Sequence, residues 1–393
     1  KNFTIINDKY YHYASALECG VMRLSLLVLC VLSLGLAGCL PEKNTAAPSA
    51  TFSTEPTPQM IALGSALFND TNLSSQKNQS CASCHDKSVA FADADKNNPT
   101  SKGSVSSLFG TRNTPSIAYS AFTPALHQET EDGETLWKGG LFLDGRVNTL
   151  EEQAQKPFLN PIEMNNKDAA DVIAKLRASP TSNLFREVFG GDALDVGKEE
   201  QAFSQVAKAI AAFERTPEFS PFSSKFDLYI QGKAKFTTQE IEGMSLFIRA
   251  DKGNCAACHP VTRSVDGTPP LFTDFSYDNV GVSRHPNTQF FAADFVDEGL
   301  AQTTNDPNLR GQFRVATLRN IAKTAPYMHN GRFESLREVV EFYNSRDVEP
   351  QRWGAPEVPE TVNKDELGNL KLSDREIDAL VAFLNTLSDG YLP

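Results

Sequence analysis

The sequence lacks an excess of positive charge. Its 393 residues contain 37 lysines and arginines against 49 aspartates and glutamates, which gives a formal net charge of −12. Because the phosphates of nucleic acids require a basic face, this balance argues against nucleic-acid binding. The hydrophobic content of 40% and the charged content of 22% are ordinary for a globular protein with a sizeable core.

A hydrophobic run long enough to span a bilayer is also missing. The run from Leu24 to Leu36 is too short to cross a membrane, and it leads into Cys39 in a Leu-Ala-Gly-Cys sequence that resembles a bacterial lipobox. We expect residues 22–39 to be a lipoprotein signal peptide and Cys39 to become the lipidated N-terminus. A plain signal peptide cut nearby is the alternative.

The segments on either side of the signal peptide complete this interpretation. Residues 1–21 precede Met22 and are expected to be untranslated or non-native sequence. Residues 40–57 are rich in Pro, Thr, Ser and Ala, which predicts a flexible tether. The predicted location is the periplasm, with a lipid anchor as the only contact with a membrane.

No cysteine remains for a structural disulfide. Of the seven, Cys19 and Cys30 lie in the part that is removed and Cys39 lies in the lipobox. The other four form two C-x-x-C-H motifs with one spacing, Cys81-Ala82-Ser83-Cys84-His85 and Cys255-Ala256-Ala257-Cys258-His259.

C-x-x-C-H is the attachment signature of c-type haem. Two thiols bind the haem covalently, and the histidine that follows is placed to ligate the iron. Zinc sites and thioredoxin-like redox pairs are the competing interpretations. A structural zinc site needs four protein ligands, however, and a redox pair needs no trailing histidine. The sequence therefore predicts two c-type haems, with His85 and His259 as axial ligands.

Strand signals are sparse, and helical patterns dominate the predicted mature chain. The apolar spacing predicts helices that begin near Pro58, at Asp168 to Ala178, through Phe203 to Phe213, at Thr238 to Arg249, at Ser335 to Asn344, and from Ser373 to about Leu387.

An internal repeat indicates two similar domains. Gly64-x-x-Leu67-Phe68 precedes the first haem motif, and Gly243-x-x-Leu246-Phe247 precedes the second, 174 residues after the first motif. The weakest pattern lies near Pro217 to Gln231, which places one haem domain at 58–220 and the other at 221–393.

The chain resembles the bacterial di-haem cytochrome c peroxidase family, in its MauG-like branch. Several motifs carry this resemblance in the family's order: the two haem motifs, Arg112-Asn113-Thr114-Pro115-Ser116, Asp144-Gly145-Arg146 with Glu152-Gln153-Ala154, Asn160-Pro161-Ile162-Glu163-Met164, Thr317-Leu318-Arg319-Asn320, and Ala325-Pro326-Tyr327-Met328-His329-Asn330-Gly331. The resemblance implies a mainly α-helical protein with two cytochrome c-like haem domains packed around a cleft.

For the N-terminal haem, the resemblance implies the site of peroxide chemistry. Glu163 and Gln153 match the family's distal pair, and Pro157 matches a proline that shapes the pocket. Val105 stands where many peroxidases carry a loop histidine, so an open iron face is expected without reductive activation.

For the second haem, the resemblance implies electron transfer. Tyr343, fourteen residues after His329, matches the position of the other axial ligand, with Met328 as the alternative; a core tyrosine would show the same periodicity. Leu143 stands where the family has a tryptophan between the haems, and Trp137 is a possible substitute.

The resemblance also implies a calcium ion between the haem domains. Asn113, Thr324 and Pro326 match the positions whose oxygens hold it, although these residues could simply shape turns. His329 is expected to be a buried, hydrogen-bonding histidine near the second haem.

Three functions follow from these expectations. The first is reduction of hydrogen peroxide to water with electrons from a small cytochrome c or cupredoxin. The second is MauG-like oxidation of tryptophan or tyrosine side chains in a partner protein. The third is non-enzymatic electron transfer or redox sensing, in which both irons would have two axial ligands and Glu163 would be dispensable.

Overall fold

The computed structural model describes residues 56–393 except positions 132, 288 and 293. The predicted signal peptide, Cys39 and nearly all of the tether lie outside the described residues. Within these residues the α-helices are α1 Pro58–Phe68, α2 Cys81–Cys84, α3 Leu150–Leu159, α4 Ala169–Ala178, α5 Ser182–Phe189, α6 Glu199–Glu214, α7 Lys225–Ile230, α8 Thr238–Ile248, α9 Leu300–Thr304, α10 Leu336–Ser345, α11 Pro350–Trp353 and α12 Asp374–Asn385.

Strands are few in the described part of the chain. β1 (His127–Glu131) pairs antiparallel with β2 (Glu134–Lys138), and β3 (Tyr277–Asp278) pairs antiparallel with β4 (Phe313–Arg314). The prediction of a mainly helical protein is therefore confirmed. The described residues contain no helix with the length and apolar character needed to cross a bilayer.

All six predicted helices are present, as α1, α4, α6, α8, α10 and α12. A capping box starts α12: Ser373 accepts a hydrogen bond from the backbone of Glu376, whose carboxylate accepts one from the backbone of Ser373. Six further helices were not predicted, namely α2, α3, α5, α7, α9 and α11. α3 contains Pro157 and a mostly polar sequence, and α7 lies inside the weakly patterned segment assigned to the domain boundary.

The internal repeat corresponds to two helix crossings of the same construction. α1 packs against α6 and α8 packs against α12. A Cβ atom added to Gly64 would lie 1.9 Å from the carbonyl oxygen of Ala209, and one added to Gly243 would lie 1.9 Å from that of Ala379. Glycine is therefore required at both crossings because the partner backbone occupies the space of a side chain.

The buried apolar residues form two principal clusters. One extends from Leu63 to Phe219 with Leu271, and the other extends from Phe226 to Leu387. Each cluster contains one glycine crossing and the leucine–phenylalanine pair that follows it. The backbone contacts nevertheless hold residues 55–393 together as one unit.

Alanine at either crossing should force the helices apart. Gly64→Ala and Gly243→Ala are each expected to destabilise the protein by about 1–3 kcal/mol, the usual cost of overpacking a core. Gly191→Ala is the matched control, because a Cβ at Gly191 meets no atom within 4 Å. Chemical denaturation of the holoproteins measures the difference, and equal stability of all three variants would contradict the close-packing argument.

Candidate functional site

The two C-x-x-C-H motifs each line a large cavity. The first cavity has a volume of about 970 Å³ and is lined by Cys81, Cys84 and His85. The second has a volume of about 340 Å³ and is lined by Cys255, Cys258 and His259. Volumes of this order suit cofactor-sized ligands.

Each motif histidine is fixed by a backbone carbonyl. The Nδ1 atom of His85 lies 3.0 Å from the carbonyl oxygen of Phe91, and the Nδ1 atom of His259 lies 2.7 Å from that of Phe272. Because a carbonyl oxygen only accepts, Nδ1 must donate in both cases, which leaves Nε2 with its lone pair. Burial lowers the pKa of both imidazoles, which favours the neutral, metal-ligating form.

These features fit two c-type haems. In each cavity a thiol pair and an imidazole whose unprotonated nitrogen is free line the same wall. Burial raises the pKa of Cys84 to about 11 and those of Cys255 and Cys258 to about 12. The described residues contain no group of three or more His, Cys, Asp or Glu side chains arranged to hold a metal ion directly.

Helix α3 and the loop after it form part of the wall of the first cavity. Gln153 and Pro157 lie on α3, whose N-terminus is capped by Thr149. Glu163 lies just beyond the C-terminal end of α3. All three side chains line the cavity together with His85. The three side chains that the sequence analysis grouped together therefore line one cavity.

The surroundings of Glu163 shift the pKa of its carboxyl. Burial raises its pKa, against the lowering effects of the Arg146 charge and a hydrogen bond involving Asn160. Its backbone carbonyl accepts a hydrogen bond of 2.7 Å from the backbone N–H of Ser104. This bond holds the loop that carries Val105 beside Glu163.

One methionine also lines the first cavity. Met164 is 3% exposed and packs in the N-terminal core cluster. Of the histidines in the described chain, His85 is the one that lines this cavity, whereas His127 lies on β1 with its Nδ1 atom 2.8 Å from the carbonyl oxygen of Ala125.

The second cavity contains both candidates for its other axial ligand. Tyr343 lies on α10, Met328 lies in the loop before it, and both line the cavity. Burial raises the pKa of Tyr343. His329 lines the same cavity, with its Nε2 atom 3.1 Å from Oε2 of Glu357 and its ring stacked on Phe313 at 4.0 Å between centroids. The side chain of His329 is 8% exposed and hydrogen-bonded, in agreement with the expectation.

Leu143 lies between the cavities, and Trp137 does not. Leu143 lines both cavities. Trp137 lies on strand β2 and lines neither cavity. The interpretation of Trp137 as a substitute relay residue is not supported, because its position in the hairpin keeps it out of both walls.

A buried charge cluster on the first cavity joins distant parts of the sequence. Arg112 donates to Asp297 through Nε and NH2, at 2.6 and 2.7 Å, and to Asp144 through NH1 at 2.7 Å. Asp144 and Asp297 are 1% and 5% exposed. The motif residues Arg112 and Asp144 therefore belong to one ion-pair cluster, but nothing in the sequence identified Asp297 as their partner.

The residues proposed to hold calcium share a crevice. Asn113, Thr324 and Pro326 line it together with Asp93 and Asp95. The side-chain amide of Asn113 donates to the carbonyl oxygen of Pro99 at 3.0 Å, so its Oδ1 atom remains available. Amide, carbonyl and carboxylate oxygens are the donors that Ca²⁺ prefers.

Sequence reasoning missed Glu214. This residue ends helix α6, is 5% exposed and lines the first cavity, and no hydrogen bond to its carboxyl is found among the described residues. Burial raises the pKa of Glu214 to about 8, while Arg215 lowers it and Glu151 raises it. No sequence pattern could have identified Glu214, because a glutamate at the end of a solvent-exposed helix would look the same.

Glu214 should make stability depend on pH. A carboxyl whose pKa is higher in the folded state stabilises the fold when protonated, so stability should fall as pH rises from about 4.5 towards 8, by roughly 1.4 kcal/mol per unit. Glu214→Gln should flatten this decline, whereas Glu200→Gln, at an exposed position of the same helix, should not. Melting temperatures between pH 5 and 8 test this, and parallel curves for all three proteins would contradict it.

Comparison with known proteins identifies the family. The profile of the family described as di-haem cytochrome c peroxidase matches residues 58–235. The methylamine utilization protein MauG of Paracoccus denitrificans is 41% identical over 350 residues, covering 84% of this chain and 88% of MauG. The cytochrome c551 peroxidase of Nitrosomonas europaea is 32% identical over 84% of this chain and 80% of its own length.

A solved structure agrees with these sequence relatives. That structure is of a tyrosine-to-methionine variant of the diheme peroxidase BthA from Burkholderia thailandensis. It has a TM-score of 0.79 and 35% identity, and the match covers 85% of this chain and 87% of that one. The chain therefore belongs to the di-haem cytochrome c peroxidase family, in its MauG-like branch, and is an oxidoreductase of the haem peroxidase type.

Proposed function

We propose that the protein reduces hydrogen peroxide in the first cavity. The balanced reaction is H₂O₂ + 2 H⁺ + 2 e⁻ → 2 H₂O, with the electrons supplied singly by a small reduced cytochrome c or cupredoxin. The observation that carries the proposal is the position of Glu163, whose pKa is raised by burial and which lines the same cavity as Gln153 and His85.

The side chains of this cavity have separable roles. Glu163 takes a proton from one peroxide oxygen and delivers it to the departing oxygen, which a carboxyl with a raised pKa can do near neutral pH. Gln153 orients peroxide through its amide, and Pro157 shapes the wall. The haem, when bound through Cys81, Cys84 and His85, supplies the electron-transferring iron centre.

We further propose that residues 58–220 and 221–393 are two cytochrome c-like domains with one haem each, packed around a cleft. The two apolar clusters and the repeated helix crossings support this division. The second haem would be bound by Cys255, Cys258 and His259, with Tyr343 as the second axial ligand. The hydroxyl of Tyr343 has no hydrogen-bond partner among the described residues, which suits a ligand whose metal is supplied by the cofactor.

Location and calcium complete the proposal. Export to the periplasm with lipidation at Cys39 agrees with the attachment of c-type haem outside the bacterial cytoplasm. A Ca²⁺ ion held by Asn113, Thr324 and Pro326 would lie between the N- and C-terminal parts of the chain. Their shared crevice and its two nearby aspartates support this site.

Loss of the proton carrier should slow peroxide reduction. Glu163→Gln is expected to lower kcat/KM for hydrogen peroxide by about 10²- to 10⁴-fold, because the transition state loses its acid–base group. Stopped-flow oxidation of a reduced small cytochrome c measures this rate.

The matched control is Glu187→Gln, an exposed glutamate on α5. The control should retain the native rate, and both variants should retain two haems per chain. If Glu163→Gln turns over peroxide as fast as the control, Glu163 does not carry the proton and this mechanism is wrong.

A MauG-like oxidation of a partner protein is the second candidate function. Val105 at the loop position and the 41% identity to MauG favour it. Under this hypothesis the protein oxidises tryptophan or tyrosine side chains of a protein substrate and turns over peroxide slowly with small electron donors. Rapid steady-state turnover with a reduced cytochrome c or cupredoxin would favour the peroxidase instead.

Electron transfer without catalysis remains the third candidate. It requires two axial ligands at both irons, and Met164 is the residue placed in the first cavity that could supply one. An EPR spectrum of the oxidised protein with one high-spin and one low-spin signal would support the open first site. Two low-spin signals in the native protein, one of which is lost in Met164→Leu, would show that Met164 ligates the first iron. That result would reject peroxide chemistry in the first cavity.

The second haem should depend on Tyr343 for its spin state. Tyr343→Phe is expected to convert the low-spin EPR signal to a high-spin one, and Tyr343→Met is expected to restore a low-spin signal with different g-values. The control is Tyr327→Phe, since Tyr327 lines the same cavity but its hydroxyl donates to the carbonyl oxygen of Ile321 at 2.9 Å. An unchanged low-spin signal in Tyr343→Phe would assign the ligand to Met328.

A further inference from the structure

Most of the deeply placed arginines of the described chain have carboxylate partners. Arg112 pairs with Asp144 and Asp297. Two more pairs follow the same rule, Arg319 with Asp227 and Arg346 with Asp347. Arg314 is partly buried, and no carboxylate of the described residues lies within ion-pair distance of its guanidinium.

The immediate surroundings of Arg314 do not neutralise its charge. Its backbone N–H donates to the carbonyl oxygen of Leu143 at 2.9 Å, and its Nε donates to that of Phe142 at 3.3 Å. Its guanidinium carbon lies 6.0 Å from the ring centre of Phe275. Burial raises the pKa of the nearby Tyr277, which keeps that phenol neutral. One long hydrogen bond and an aromatic face are weak compensation for a desolvated cation.

Arg314 faces the cofactor space of both halves of the chain. It lines the first cavity and the second cavity, as does Leu143, to which it is hydrogen-bonded. A partly buried cation that has no carboxylate partner and lines both cavities is suited to pair with an anion carried by their occupants. Haem carries two propionate carboxylates, and a guanidinium is suited to bind carboxylates through two parallel hydrogen bonds.

We propose that Arg314 is a counter-ion shared by the propionates of the two haems. Arg314 binds one propionate carboxylate of the haem in each cavity. It thereby holds both haems next to Leu143, which lines both cavities. Arg314 is a positioning residue: it fixes the two acceptors and links them electrostatically where the aromatic relay residue is replaced by Leu143. The inference rests on the binding of two haems and does not require peroxide as the substrate.

Redox titration of the intact holoprotein tests this proposal. A nearby positive charge stabilises a reduced haem, and its removal also leaves the propionates unpaired. Arg314→Gln should therefore lower both midpoint potentials, and Arg314→Lys, which keeps the charge, should restore most of each shift. Arg310→Gln is the matched control, because Arg310 lines the first cavity but pairs with Glu298 at 2.5 Å.

The outcomes are distinguishable. A fall of both potentials in Arg314→Gln with none in Arg310→Gln supports the shared counter-ion. A shift of one potential alone, or of neither, overturns it. If Arg314→Gln does not fold, resonance Raman spectra of Arg314→Lys replace it: propionate bands that shift for both haems support the proposal, and unchanged bands overturn it. Shifted potentials in a protein that ignores peroxide would reject the peroxidase function and leave this inference standing.

Discussion

The hydrogen bond from each motif histidine to a backbone carbonyl is the interaction on which both cofactor sites depend. His85 and His259 each commit Nδ1 to a carbonyl at 3.0 and 2.7 Å, and so present Nε2 in one tautomer and orientation. The carbonyls belong to Phe91 and Phe272, which are themselves buried. The packing of two phenylalanines thus determines where an iron can be bound.

The two sites differ in what surrounds this shared arrangement. The first is the larger, and its wall carries Glu163, Glu214 and the Arg112 cluster. The second is smaller and lies against the aromatic core of the C-terminal half, with Tyr343 and Met328 on its wall. Similar helix crossings therefore support one cavity with many charged side chains and another with a more aromatic wall.

The sequence predicted the features that depend on local pattern. The haem motifs, the six helices with apolar stripes, and the Gly64 and Gly243 repeat are all present in the structure. The grouping of Gln153 with Glu163 came from motif resemblance rather than from periodicity. The contacts that could not be predicted join residues far apart in sequence, such as Arg112 with Asp297, or depend on depth alone, as for Glu214. Helix α3 was missed because Pro157 is normally a helix breaker.

The burial of the motif thiols has a consequence for the order of biosynthetic events. Thioether formation requires reactive sulfur, and folding raises the pKa of Cys84 to about 11 and those of Cys255 and Cys258 to about 12. The first haem motif closely follows α1, and the second closely follows α8. The helices that pack against α1 and α8, which are α6 and α12, come more than a hundred residues after the motifs. A protonated thiol is a poor nucleophile, so thioether formation at these sulfurs is favoured before the contacts of α6 and α12 close each half.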